Sequence, residues 1–541
     1  MKIRIIITLF LLSIIPNHLY AATHNHTIQQ KVTQPNLIFI LLDDVGYGDF
    51  AFNSATPTMV SETPYIHQLA QQGMVLSDVY SSNPLCSPSR SSIITGRLPI
   101  RNGFYTSSWF GRNAYTGQGV AGGITDYEIL LPELLQKQGY STSLYGKNHL
   151  GCPGNISYSP RGWSEFAGTC DVHFKFDNKT LPNLAFMGNG TMLGRLYDTP
   201  EYFINLTTHT SNLTRILTDY AVDFINRKSQ KNEPFFLFFV PDATHGPTIA
   251  SKEFNGLSRR GPYGDALMEI DFSIGRILEA LHQNNIDQGE TFIFLSSDNG
   301  AATYDFDLAG PNGGFNGALL CGKETTFEGG MREPTIAWWP TVIEAGSYSS
   351  EIVTLMDYFT TAVTLAGGSI PTDRIIDGVN MMPVLQGNKS LNNNVFYYRG
   401  NGLFAVRVGQ YKAHLWTWDN TPNATGPDNH PGDNAQFCPG QLIVNTTTSD
   451  MRNRTEFPLV FDLWKDPGER YPIPPSDSRY NDIISSIRAV IQEHEANLVP
   501  GVPQLDWCDD STGNWAPPGC EALGLCLPIP PSNRTRCPWT H

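Results

Sequence analysis

The chain has 541 residues, 40% of them hydrophobic, and a formal net charge of -15. Its length exceeds one minimal domain and suits a large α/β domain with a smaller companion, and its apolar content is enough for a sizeable core. The acidic balance excludes general nucleic-acid binding, and an anionic substrate then requires a local cluster of cations or a metal.

The chain opens with Met1-Lys2-Ile3-Arg4, an apolar stretch from Ile5 to Ile15, and small residues at Ala21-Ala22. Basic head, short apolar run and small-residue cleavage zone predict a signal peptide over 1–22, and the run is too short to span a membrane. No later stretch has transmembrane length, so the mature protein is expected in an oxidising, glycosylating compartment. Asn-x-Ser/Thr sequons recur from Asn25 to Asn533. Their density between Asn155 and Asn212 predicts an exposed, loop-rich insertion. The 9 cysteines are an odd number, which leaves one over in a secreted protein.

Asn36-Leu37-Ile38-Phe39-Ile40-Leu41-Leu42 reads as a buried parallel strand that ends abruptly in Asp43-Asp44. Pro234 to Val240 repeats the pattern and runs into Asp242-Ala243-Thr244-His245. Thr291 to Leu295 does so again, ending in Asp298-Asn299-Gly300. Ligands collect at the carboxyl ends of strands in open α/β sheets. Helices are predicted over Asp126–Gly139 and Asp265–Leu281 from their Leu and Ile spacing, and the alternation predicts a doubly wound sheet.

Composition changes after Leu385. Phe396–Arg399, Leu403–Leu415 and Val460–Leu463 read as antiparallel strands, with a helix over Asp482–Ala496 and a Pro- and Cys-rich tail from Val502. The expected layout is a catalytic domain over 23–390, an antiparallel β domain with a helix over 391–500, and a disulfide-rich tail over 501–541.

Asp43, Asp44, Asp298 and Asn299 offer hard oxygen donors, which favour calcium, with magnesium the nearest competitor. Lys147 and His149 alternate in Gly146-Lys147-Asn148-His149, so on a strand edge they would face one side. Lys323 stands beside a Gly-rich turn. Arg90, Lys147 and Lys323 with a divalent ion could neutralise a sulfate or phosphate, and His149 and His245 could move protons.

Cys86-Ser87-Pro88-Ser89-Arg90, running on to Thr95-Gly96-Arg97, sets one cysteine in a Ser/Pro-rich turn before an apolar run closed by glycine. An isolated cysteine would by default be buried or bonded. This stretch instead resembles the sulfatase signature, whose cysteine is oxidised after synthesis to formylglycine. Asp43-Asp44, Gly139 to Gly151, Asp298-Asn299-Gly300 and Lys323 follow in sulfatase order. Leu98 to Thr106, Ala337-Trp338-Trp339-Pro340, Lys412 to Trp418 and Asn514 to Glu521 resemble more narrowly the lysosomal members that remove 6-sulfate from N-acetylgalactosamine or galactose in chondroitin and keratan sulfate.

The resemblance implies an alkaline-phosphatase-like fold: a large, mostly parallel mixed sheet flanked by helices, with a smaller antiparallel domain. It implies one calcium ion per chain, held by Asp43, Asp44, Cys86, Asp298 and Asn299. Cys86 would become formylglycine through the formylglycine-generating enzyme. One hydroxyl of its hydrate attacks sulfur and the alcohol leaves; deprotonation of the other expels sulfate. Arg90 and Lys147 would steady the formylglycine, His149 would take the proton in the release step, and His245 and Lys323 would contact the sulfate and leaving oxygen. Tyr115 matches a pocket position. The same likeness implies bridges Cys321–Cys438, Cys508–Cys537 and Cys520–Cys526. It leaves Cys152 unexpected and Cys170 at a position usually unpaired, and a bridge between these two is a separate expectation. Asn148 stands where members usually carry tryptophan. The narrower group is dimeric, which offers a homodimer as the assembly, and the destination is lysosomal or secreted. Competing readings are an arylsulfatase with another natural ester, a phosphatase-like relative (which would use Ser or Thr in place of Cys86), and a non-enzymatic glycan-binding or matrix protein on the same fold.

Overall fold

The computed structural model describes residues 34–54, 57–108, 116–152, 160–173, 181–197, 203–205, 207–208, 210–303, 313–417, 442–443, 446–447, 452–510 and 513–537. Its main sheet is built from β1 (Asn36–Leu42), β2 (Met74–Tyr80), β3 (Ser141–Lys147), β4 (Glu165–Thr169), β5 (Ala185–Gly188), β6 (Thr191–Arg195), β7 (Phe235–Val240), β8 (Thr291–Ser297), β9 (Arg332–Trp338) and β10 (Ser347–Ser349). The order across the sheet is β10-β2-β9-β8-β1-β7-β3-β4-β5-β6. From β8 through β4 every pairing is parallel, while β9 runs antiparallel to β8 and β2. Antiparallel β5 and β6 extend the far edge.

β1 lies at the centre, its register running from Asn36 opposite Thr291 to Leu42 opposite Ser297. From Leu37 to Leu42 it is fully buried. Both of its faces are covered, which is why the strand is apolar at consecutive positions. Each such side chain contributes roughly 1.5–3 kcal/mol by leaving water.

Helices cover the sheet: α1 (Cys86–Thr95), α2 (Leu131–Lys137), α3 (Leu213–Gln230), α4 (Pro262–Gln283) and α5 (Asp357–Leu365). Tyr358 of α5 packs its ring 4.5 Å from that of Phe39, centroid to centroid. Two of the helix boundaries depart from the sequence reading. α2 starts only at Leu131, because Pro132 stands in its first turn and Glu133 Oε2 accepts from the Leu130 N–H at 2.9 Å. α4 begins earlier than expected, where Pro262 follows the left-handed Gly261. The expected loop-rich insertion is a third difference. Part of it, β5 and β6, is a hairpin added to the sheet.

A second sheet of β11 (Asn394–Arg399), β12 (Gly402–Val408), β13 (Tyr411–His414) and β14 (Leu459–Asp462) is antiparallel throughout, as expected. α6 (Tyr480–Ala496) packs Ile483, Ile484 and Ile487 against Val406, Ala413 and Val460 of that sheet. The tail is stapled by Cys508–Cys537 and Cys520–Cys526. It covers the edge strand β6, where Met192 N–H donates to Pro518 O at 2.8 Å and Arg195 donates to Trp515 O at 3.0 Å. Cys152 bonds Cys170, matching that expectation, and Cys86 is free and buried. Cys321 is disulfide-bonded. Its expected partner, Cys438, lies outside the described residues.

Candidate active site

Parallel strands share a direction, so their carboxyl ends meet at one edge. β8, β1, β7 and β3 are neighbours there, and they deliver Asp298-Asn299, Asp43-Asp44, Thr244-His245 and Lys147 to one place. α1 brings Cys86 and Arg90, and the 321–328 segment brings Lys323. Cys86 is not in a turn. It is the first residue of α1, where the amides of a helix N-terminus favour negative charge. The αL residue Gly96 closes the helix by donating to Ser92 O.

The sulfur of Cys86 lies 3.6 Å from Asp43 Oδ1 and 3.9 Å from Asp44 Oδ1. One ligand atom from each of Asp43, Asp44, Cys86 and Asp298 falls within 4.8 Å of the others. Around them stand the cations. Lys147 Nζ donates to Asp43 Oδ2 at 2.8 Å, Lys323 Nζ to Asp44 Oδ2 at 2.6 Å, and Arg90 Nε to Asp298 Oδ2 at 2.9 Å. His245 Nε2 is 3.3 Å from Lys323 Nζ. Asp43, Asp298 and Asn299 are wholly buried, and Lys147, Arg90 and His149 nearly so.

The residues fit a divalent cation. Asn299 donates through Nδ2 to Asp44 Oδ1 at 2.8 Å, while its Oδ1 is buried with no hydrogen-bond partner among the described residues. A buried carboxamide oxygen without a hydrogen-bond partner, on a side chain that touches Asp44, has the chemistry of a hard cation ligand.

Burial would raise the Asp43 carboxyl, but Lys147 and Arg90 outweigh it and hold it well below the usual range. Asp298 goes the other way: burial, then repulsion from Asp43, pushes it up to about 7. A bound cation would reverse that direction. Burial also pushes the Cys86 thiol up, and it wins over Lys147 and Lys323. The unmodified thiol is therefore a poor nucleophile despite its place at a helix N-terminus. His245 is driven well below its ordinary value by burial and then Lys323; His149 likewise by burial, then Lys147 and Arg90.

The expected edge placement of Lys147 and His149 is not found. β3 is an interior strand between β7 and β4, Lys147 is its last residue, and His149 lies beyond it with φ +56°. A left-handed turn, rather than strand alternation, aims the histidine. Asp44 has the same kind of backbone, φ +58°. Tyr115 lies outside the described residues.

Sequence reasoning passed over Asp171, whose Oδ1 is 3.0 Å from His149 Nε2. It also passed over the buried pair His173–Asp242, Nδ1 to Oδ2 2.8 Å. Asp242 stood in the polar stretch noted after β7 but was given no role. His173 carried no local signal.

The family pattern described as Sulfatase matches residues 35–369, and that described as the C-terminal region of aryl-sulfatase matches 390–528. The chain belongs to the sulfatase family. It is accordingly a sulfuric ester hydrolase. Among its relatives, N-acetylgalactosamine-6-sulfatase of Mus musculus is 47% identical over 511 residues, 94% of this chain and 95% of that one. Arylsulfatase A of Bos taurus is 35% identical over 92% of this chain and 95% of its own. The crystal structure of the PsFucS1 sulfatase from Pseudoalteromonas sp. superposes with a TM-score of 0.70 at 24% identity, over 86% of this chain and 92% of that one, which establishes the shared fold. The fold places Cys86 amid acid and cation. No helix among the described residues is long and apolar enough to cross a membrane.

Proposed function

We propose that the protein removes the 6-sulfate from N-acetylgalactosamine or galactose residues of chondroitin and keratan sulfate. The observation that carries the sulfatase chemistry is the gathering of the Cys86 sulfur with Asp43, Asp44 and Asp298 inside 4.8 Å, ringed by Arg90, Lys147 and Lys323. The likeness to N-acetylgalactosamine-6-sulfatase over 94% of the chain supports the substrate class.

In this reading Asp43, Asp44, Asp298 and Asn299 hold one calcium ion with the oxidised Cys86 side chain. The ion would supply Lewis-acid polarisation of the sulfate, and formylglycine a geminal diol as nucleophile. The chain's own residues do the rest. Arg90, fixed to Asp298 and to Lys147 O at 3.0 Å, braces α1 so that side chain 86 keeps its aim. Lys147 holds Asp43 ionised and offers positive charge to an anionic oxygen. Lys323 and His245, 3.3 Å apart, face the same oxygens of the ester, with His245 giving a proton to the departing alcohol. His149 accepts the proton whose loss releases sulfate. Tyr115 matches a position that the narrower group uses toward the sugar. The enzyme enters the secretory pathway by a signal peptide over 1–22, meets the formylglycine-generating enzyme, and acts as a homodimer in the lysosome or outside the cell. Its layout is a catalytic domain over 23–390, a β domain over 391–500 and a tail over 501–541.

Two measurements test this. Mass spectrometry of the Cys86 peptide from active enzyme is expected to find formylglycine; a wholly unmodified thiol would overturn the mechanism. A panel of defined sulfated oligosaccharides is expected to show release of 6-sulfate. Release from another position alone would overturn the substrate while leaving the sulfatase.

A further inference from the structure

The segment that carries His149 leaves the sheet at once. β3 ends at Lys147, and the backbone then takes the left-handed region at His149 (φ +56°) and again at Gly151 (φ +107°). A non-glycine residue held there needs its surroundings to fix it. Packing does so on one side only, where Leu150 joins the core and Gly151 backs onto Gly122 and Gly123. Behind the segment lies a cavity of about 430 Å³ whose walls include Asn148, Leu150, Gly151, Trp163, Phe166 and Cys170. A wall that borders a void lacks the contacts that a filled core would press on it.

Thr116 Oγ1 donates to His149 O at 3.0 Å and Ile124 N–H to Leu150 O at 3.0 Å, and a denser set of ties comes from the segment that ends β4. Asn148 N–H donates to Thr169 O at 2.9 Å and His149 N–H to Cys170 O at 3.0 Å, carrying the β3–β4 pairing two residues past the strand. Three residues after His149, Cys152 is bonded to that same Cys170, closing a loop of sequence separation 18. The next residue is Asp171, 99% buried, with Oδ1 3.0 Å from His149 Nε2. Asp171 is tied in turn, since Val172 N–H donates to its Oδ1 at 2.7 Å and Thr169 Oγ1 to its carbonyl at 2.6 Å. Ring, main chain and covalent link thus converge on three consecutive residues, 169–171.

We propose that the Cys152–Cys170 disulfide and Asp171 form one positioning device for His149. The disulfide fixes the distance between the two segments, and Asp171 fixes the orientation of the ring. The inference rests on the reading of His149 as the proton acceptor. A group that acts only in the release step should, when misplaced, slow the second half of the reaction, lowering kcat and KM together and leaving kcat/KM nearly unchanged.

The test uses the full-length enzyme, with formylglycine content and circular dichroism matched between variants, on a fluorogenic sugar sulfate. Cys152→Ala/Cys170→Ala is expected to lower kcat about 10- to 100-fold, the range for groups that orient a reacting residue, with KM falling in step so that kcat/KM stays within about twofold. Asp171→Ala, which leaves the disulfide intact, is expected to give the same pattern. Asp171→Asn, which keeps an oxygen acceptor for the ring, is expected to recover most of the activity, a rescue that general loss of structure would not show. His149→Ala serves as reference. If it abolishes turnover while the cysteine and Asp171→Ala variants keep kcat within about twofold of the parent, the positioning device is refuted and the role of His149 stands. If His149→Ala itself keeps full turnover, the role of His149 fails and the device with it. Should the cysteine variant not fold, the Asp171 pair of substitutions decides.

Discussion

Replacing Lys412 with methionine would cut a buried ion network under the segment that carries Lys323. Lys412 lies on β13 with no solvent exposure, and its Nζ is 3.0 Å from Glu328 Oε1, 3.1 Å from Glu469 Oε1 and 2.8 Å from Thr326 O. Burial would raise the Glu328 carboxyl, but Lys412, then Arg332 and Arg407, hold it at about 2. Methionine keeps the stem's volume and removes the charge. Deleting one partner of a buried ion pair costs about 3–5 kcal/mol. Here the lower end applies. Glu328 keeps Arg332 at 3.6 Å and the Tyr397 hydroxyl at 3.1 Å, and Glu469 keeps His414 at 2.6 Å. At ~2.1 cal/mol/K per residue over roughly 500 residues, a loss of about 3 kcal/mol lowers the melting temperature by about 3 °C. Thr326 and Glu328 also anchor the loop of Lys323, so kcat/KM is expected to fall in protein that is still folded. Scanning calorimetry and steady-state kinetics read both effects. The cost arises from uncompensated charge, so adding Glu469→Gln to Lys412→Met should restore part of the lost stability. A melting temperature unchanged within about 1 °C, or a double variant weaker by the full effect of Glu469→Gln, would refute the reasoning.

Dialysis against a chelator is expected to abolish activity, with calcium restoring it better than magnesium; full activity after exhaustive metal removal would contradict the acid cluster's role. Asn299→Ala is expected to raise the calcium concentration needed for half-maximal activity about 10-fold or more, in the range for lost metal-site partners. Burial pushes Asp357 from 3.8 up to about 7. Between those values the folded chain holds a proton that the unfolded chain has lost, so this group's contribution to stability falls as pH rises. Asp357→Asn removes that slope, and its stability relative to the parent is expected to grow by about 1.4 kcal/mol per pH unit across the window, measured by urea unfolding; a difference independent of pH would rule this out. Gly300→Ala would set a Cβ 1.8 Å from Gly329 O, against the backbone of Gly329 and Gly330. It is expected to displace Asn299 and cost activity, whereas wild-type turnover would mean that this contact relaxes freely.

Much of the site was legible because its chemistry is written at strand ends. Asp43-Asp44, His245 and Asp298-Asn299 each follow an apolar run, and parallel strands must finish on one edge. Cys86 was legible through a motif with little room for coincidence. His149 was legible as a residue but misread in conformation, since no local pattern announces a left-handed turn at a histidine. Asp171 was missed because its partner is met only across β3 and β4. The 126–139 helix was drawn too long because apolar spacing continues where Pro132 forces the start.

The sequence by itself determined the strands and which acidic residues and which cysteine stand at the candidate site, because strand burial and signature chemistry act between neighbours in the chain. Only the tertiary structure decided how the buried charges are paired. Lys412 meets Glu328 across 84 residues, and Lys323 meets Asp44 across 279. Such partners are selected by the low polarity of the interior, which makes an unpaired charge costly wherever the fold happens to bring it. No spacing along the chain records that choice.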